Sequence, residues 1–129
     1  MMDWTPSGLL AADPHAQGLG VVLVAEEPLT LQLVVEVRHT NFLGIVHGGV
    51  VYSLADVALS VATNSGGTRS VMIDSHVVLT AASEPGDVIT ATVETITSGR
   101  TMASHRITVT RGDGRVVANF TGTVLRRPA

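Results

Sequence analysis

The sequence predicts an α+β fold in which a curved antiparallel β-sheet wraps one long central helix. Val and Thr are abundant, and their β-branched side chains suit pleated surfaces. Several short segments alternate apolar and polar residues and are joined by turn-forming residues. One stretch, residues 48–63, instead repeats its apolar residues at helical spacing.

The clearest strand is residues 29–37, where Leu29, Leu31, Leu33, Val35 and Val37 alternate with Thr30, Gln32 and Glu36. A strand over residues 20–25 precedes it, and others are expected over 71–80, 88–96, 102–110 and 116–125. Their links, Glu84-Pro-Gly-Asp87, Ser98-Gly-Arg100 and Arg111-Gly-Asp-Gly-Arg115, carry the residues of tight turns and leave no room for crossover helices. The pairing is therefore antiparallel. Residues 1–18 are expected to form a short helix or an arm of a single domain spanning 1–129.

The predicted helix is proline-free and apolar nearly all round, which suits an interior position. One stripe departs from this: Gly49, Tyr52, Ser53, Asp56, Ser60, Thr63 and Asn64 follow steps of three and four residues. A solvated face would carry Lys, Glu and Arg, so a stripe of Ser with one Asp points to an interface or a cleft. At the helix start, His47-Gly48-Gly49 offers first-turn amides without partners, two glycines that admit close approach, and the positive end of the helix dipole. Such a start suits an oxyanion, and a carboxylate such as Asp56 suits proton abstraction or nucleophilic attack at a carbonyl.

Distance constrains how the two cooperate. Gly48 and Asp56 are eight residues apart, about 12 Å along one helix axis. One carbonyl must lie ~3 Å from both the donor and the attacking group. Acting on the same carbonyl, they must come from two copies of the helix, antiparallel across a two-fold axis, so a homodimer follows from the chemistry.

Composition excludes other classes. The chain has 129 residues, 45% hydrophobic and 15% charged, with a net charge of −3 and no basic block to release counterions from nucleic acid. No apolar run reaches the ~18 residues of a membrane span, and the start MMDWTPSG lacks the pattern of a secretory signal. The absence of cysteine excludes disulfides and thiolate metal sites. A cytoplasmic location is expected. His15, His39, His76 and His105 lack metal-ligand spacing, and Asp74 with His76 is a pair without a third ligand, so no metal is expected.

Asn41, Gly44, His47-Gly48-Gly49 and Leu54-Ala55-Asp56, followed by Pro85-Gly86-Asp87 and Ser98-Gly99-Arg100, resemble the hot-dog fold acyl-CoA thioesterases over about residues 20–125. The similarity is greatest to the phenylacetate-degradation (PaaI-like) branch. This resemblance implies hydrolysis of small to medium acyl- or aryl-CoA, a dimer that pairs again into a tetramer, and no cofactor beyond the CoA of the substrate. It assigns Asp56 as nucleophile or general base and the Gly48 amide as oxyanion donor. His47 would place or polarise the thioester carbonyl, and Asn41 would orient water or the thioester. Gly49, Ser53 and Met72 would line the substrate and Arg100 would contact a CoA phosphate. Met72 stands where some relatives carry an assisting Ser or Thr, with Ser70 and Ser75 nearby. Two rivals remain: a non-catalytic acyl-CoA-binding protein, and an acyl hydratase or dehydratase of the same fold, whose Asp/His motif is not found here.

Overall fold

Proline opens the first two helices. In the computed structural model, which describes residues 1–127, α1 (Pro6–Ala11) is capped by Thr5 and α2 (Pro14–Leu19) by Asp13. The cap oxygens accept the Gly8 and Ala16 amides, and proline at the first helical position gives up an N–H that has no partner there. Gly20, at φ +85°, ends α2 in the left-handed conformation. The expected single helix or arm over 1–18 is thus two helices, and both pack on the central one. The last two residues of the expected 1–129 domain, 128 and 129, lie outside the described residues.

Six strands follow: β1 (Val22–Glu26), β2 (Leu29–Val34), β3 (Arg69–Leu79), β4 (Val88–Ser98), β5 (Met102–Arg111) and β6 (Val116–Arg127). They form one antiparallel sheet in the order β1-β2-β4-β5-β6-β3. The strand expected over 20–25 starts later because Gly20 is spent on the helix cap. The one expected over 29–37 ends at Val34. Val35 stays buried, but its N–H donates to the Asp87 carbonyl and its carbonyl accepts from Gly86, in the Glu84–Asp87 turn. Glu36 and His39 then form a reciprocal cap around a 3₁₀ turn, Val37–His39, which rolls Val37 into solvent.

Between β2 and β3 lies α3 (Gly48–Asn64), one residue longer than the periodicity predicts. Val51, Leu54, Ala55, Val57, Ala58, Leu59 and Val61 are buried, and α3 packs against β2, β3, β4, β5 and β6, as an all-round apolar helix inside a curved sheet requires. The inner face of the sheet admits it by being small beneath it: Leu31, Ala91, Val109 and Ala118 are register neighbours across four strands, all fully buried. Gly122 of β6 is the tightest point. A Cβ there would lie 2.7 Å from Leu59 Cδ2 and 3.0 Å from Phe120 Cε1. Gly122→Ala is therefore expected to destabilise the fold by about 1–3 kcal/mol through overpacking, measured as a lowered denaturation midpoint at unchanged slope.

Candidate active site

His39 sets the position of the site. It is 2% exposed, its Nδ1 accepts from the Glu36 amide at 2.9 Å and its Nε2 pairs with the Leu19 carbonyl at 2.9 Å, so the ring ties α2 to the turn. Its own carbonyl accepts the His47 amide at 2.8 Å, which delivers the chain to the start of α3. Between them, Asn41 Oδ1 accepts the Leu43 amide at 2.9 Å and the Asn41 carbonyl accepts the Gly44 amide, with Gly44 at φ +77°. This tight turn commits Asn41 Oδ1 and leaves the Nδ2 amide as the group that can donate to a ligand.

His47 is the N-cap of α3, and its Nδ1 accepts the Gly49 amide at 2.8 Å. An accepting Nδ1 carries no proton, which places the proton of the neutral ring on Nε2, on an exposed side chain. Val50 and Val51 both donate to the His47 carbonyl. Of the first amides of α3, only that of Gly48 has no acceptor among the described residues. The two glycines therefore serve different ends. A Cβ on Gly49 would lie 3.0 Å from His47 Nδ1, so that glycine makes room for the capping ring. Gly48 keeps its free N–H and lines a cavity of ≈350 Å³ with Asn41, Val46, Leu79 and Ala81.

Asp56 lies elsewhere. It lines a separate cavity of ≈290 Å³ with Leu59, Ser60, Thr63, Ser70, Met72 and Val124. The structure thus brings Gly48, His47 and Asn41 together, and Asp56 with Met72, but does not join the two groups within one chain. Burial raises the Asp56 carboxyl above its ordinary value, the Asp13 carboxylate adds to that, and His15 opposes it. Asp56, Ser60, Thr63 and Asn64 of the stripe on α3 line cavities, and several side chains of the stripe are engaged. Ser53 Oγ pairs with His15 Nε2 at 2.9 Å, Tyr52 OH pairs with Ser75 Oγ at 2.8 Å, and Asn64 holds the Ser70 backbone. Ser70 Oγ donates to the Thr63 carbonyl. Both serines near Met72 are therefore engaged, and the apolar thioether lines the Asp56 cavity alongside Ser70. Arg100 is exposed in the β4–β5 hairpin and lines neither of these cavities. A larger cavity, ≈570 Å³, lies among the β1–β2 turn, the end of α3 and His105, and holds none of the expected residues.

In the sequence His15 stands out only as a histidine without metal-ligand spacing, and Asp13 does not stand out. Their approach to Asp56 spans about forty residues, and the Asp13-Pro14 helix start was the one local sign of an element there.

The chain matches the Thioesterase superfamily over residues 43–118. A putative esterase of Deinococcus radiodurans is 34% identical over 116 residues, which cover 88% of this chain and 79% of the relative. Acyl-coenzyme A thioesterase 13 of Mus musculus is 29% identical over 101 residues, 76% of this chain and 72% of the relative. The E. coli PaaI protein of the phenylacetic acid degradation operon superposes with a TM-score of 0.90 at 26% identity, covering 95% of this chain and 91% of that one. A central helix wrapped by six antiparallel strands, a free amide at its glycine-led start and a family match over more than half the sequence agree: the chain belongs to the thioesterase superfamily and is a thioester hydrolase of hot-dog fold.

Proposed function

We propose that the chain hydrolyses acyl-CoA to free acid and CoA at a site shared by two subunits, without metal or added cofactor. The observation that carries this reading is the separation of the two halves of the chemistry along α3. Gly48 and Asp56 line different cavities of one chain, about 12 Å apart at the rise of a helix. An antiparallel second copy of α3 brings the Gly48 of one protomer beside the Asp56 of the other. The mouse relative, an acyl-coenzyme A thioesterase, supports the substrate class.

Self-association also has a physical motive. β3 is an edge strand of eleven residues whose outer side is unpaired among the described residues, and it exposes Val71, Ile73, Val78 and Leu79 at 55%, 53%, 47% and 50%. Long apolar edges of this kind pair with another strand or aggregate. Pairing two β3 edges across a two-fold axis continues the sheet and leaves the two α3 helices side by side and antiparallel. A further pairing into a tetramer and a cytoplasmic location complete the proposal.

In this reading the thioester oxygen accepts hydrogen bonds from the Gly48 amide and from His47 Nε2. The Asn41 Nδ2 amide orients the thioester or the attacking water. Asp56 takes a proton from water as the oxygen attacks the carbonyl carbon; the C–S bond then breaks and the CoA thiolate takes up the proton. Its raised affinity for a proton makes it a better base than an exposed aspartate. Direct attack by the carboxylate, through an anhydride, is the alternative route. Single turnover in ¹⁸O water distinguishes them, since only the anhydride route places label in Asp56. The acyl group enters beside Leu59, Met72 and Val124, and Arg100 meets a CoA phosphate.

The test is release of free thiol from phenylacetyl-, hydroxybenzoyl- and straight-chain CoA esters. Turnover of at least one class is expected. Saturable binding of these esters with no thiol released from any would replace the reading with that of an acyl-CoA-binding protein.

A further inference from the structure

We propose that α2 is a working part of the site, in which His15 is a positioning residue: anchored on Ser53, it holds an imidazole within electrostatic reach of Asp56, with Asp13 as its opposing partner. The proposal deepens the reading above and rests on it for the role of Asp56.

The geometry is specific. His15 Nε2 lies 2.9 Å from Ser53 Oγ, and Ser53 is one turn before Asp56 on the same face of α3. Asp13 caps α2 through Oδ1 on the Ala16 amide, so both charged groups are held by one short helix. That helix is itself pinned, because the Leu19 carbonyl at its end is bound by the buried His39 ring whose backbone places His47. The clamp at the start of α3 and the groups beside Asp56 thus share one support.

The surroundings of Asp56 make α2 the source of its local charge. On its own helix the neighbours are Ser53, Leu59, Ser60 and Thr63. From β3 and β6 come Ser70, Val71, Met72 and Val124, none of them charged. Arg69 lines the adjoining cavity together with Asp13. The charged groups that act on Asp56 are Asp13, which favours its protonated form, and His15, which when cationic favours the carboxylate. His15 thereby tunes how readily Asp56 exchanges a proton with the attacking water.

Two variants separate electrostatics from structure. His15→Gln keeps a side chain able to bond Ser53 and removes the cation. Asp13→Asn keeps the cap oxygen and removes the anion. Following the Asp56 carboxyl by ¹³C NMR in the intact, substrate-free protein is expected to show its titration midpoint moving up in His15→Gln and down in Asp13→Asn. The acid limb of kcat against pH for octanoyl-CoA is expected to move the same two ways, and both shifts to shrink in high salt. A midpoint unmoved in either variant, or moved in the same direction in both as loosening of α2 would produce, overturns the proposal. Absence of thiol release from wild-type protein defeats the proposed function alone, since the NMR titration requires no turnover.

Discussion

Asp56→Asn is expected to lower kcat by about 10²–10⁴-fold, the usual range for loss of a positioned acid–base group, while the folded state becomes more stable at neutral pH. Both effects come from one cause. Asp56 is desolvated at the wall of a cavity otherwise lined by Leu59, Met72, Val124 and neutral hydroxyls, beside the carboxylate of Asp13. Its proton affinity is thus higher in the folded chain than in the unfolded one. A group raised in this way adds stability below its unfolded pKa, and that contribution is lost as pH rises through the folded value. At neutral pH the ionised carboxylate is a cost, and Asn, nearly the same shape and uncharged, removes it. Thermal melts at pH 7 are expected to show a raised Tm for the variant, with the difference vanishing in acid. With Asp56 as the base, it must be deprotonated to act, so the acid limb of wild-type kcat is expected to lie above the ordinary aspartate range. Undiminished hydrolysis by Asp56→Asn would remove Asp56 from the chemistry.

Gly48→Pro is expected to reduce kcat by about 10²–10³-fold, the cost of one lost oxyanion donor, with the fold retained. Gly48 is the first residue of α3, where proline is well tolerated, and its predecessor His47 sits at φ −64°, ψ 135°, the extended conformation that a following proline requires. The substitution therefore deletes one N–H and no helical hydrogen bond. Proline also adds a Cβ, which would lie 3.0 Å from Leu79 Cδ1, the mobile end of a half-exposed side chain. Gly48→Ala adds the same atom and keeps the amide, so it isolates the donor from the crowding. A Gly48→Ala enzyme as impaired as Gly48→Pro would assign the loss to space and not to the hydrogen bond.

How much of this was legible depends on whether the determinant was local. The bounds of α3 and the strand set followed from apolar periodicity, because burial inside a sheet leaves a repeating mark. The end of β2 did not follow. Val37 fits the alternation, yet Val35 is captured by Gly86 and Asp87, fifty residues away in the chain, and the reciprocal cap of Glu36 and His39 turns the backbone out of the sheet. Thr5-Pro6 and Asp13-Pro14 were readable helix starts, but the helices they open are six residues each and exist by packing on α3. At the candidate site, the His47-Gly48-Gly49 helix start and the lone Asp56 in an apolar helix were marked by the residues themselves, whereas Asn41 and the part given to His47 came from the resemblance to the thioesterases. Gly49 was marked for an incomplete reason: its missing side chain accommodates the His47 ring, which only the folded cap reveals. His15 carried no local mark, since its meaning lies in Ser53 across the fold.

The central claim is that each site takes its amide from one protomer and its carboxylate from the other, and subunit mixing tests it most directly. Heterodimers of a Gly48→Pro chain with an Asp56→Asn chain, purified through two different tags, pair one unaltered Gly48 with one unaltered Asp56 if the site is shared. They are then expected to recover about half of the wild-type kcat per dimer, one intact site in two, although each parental homodimer is nearly inert. Heterodimers no more active than those parents would contradict the account and return the chemistry to a single chain.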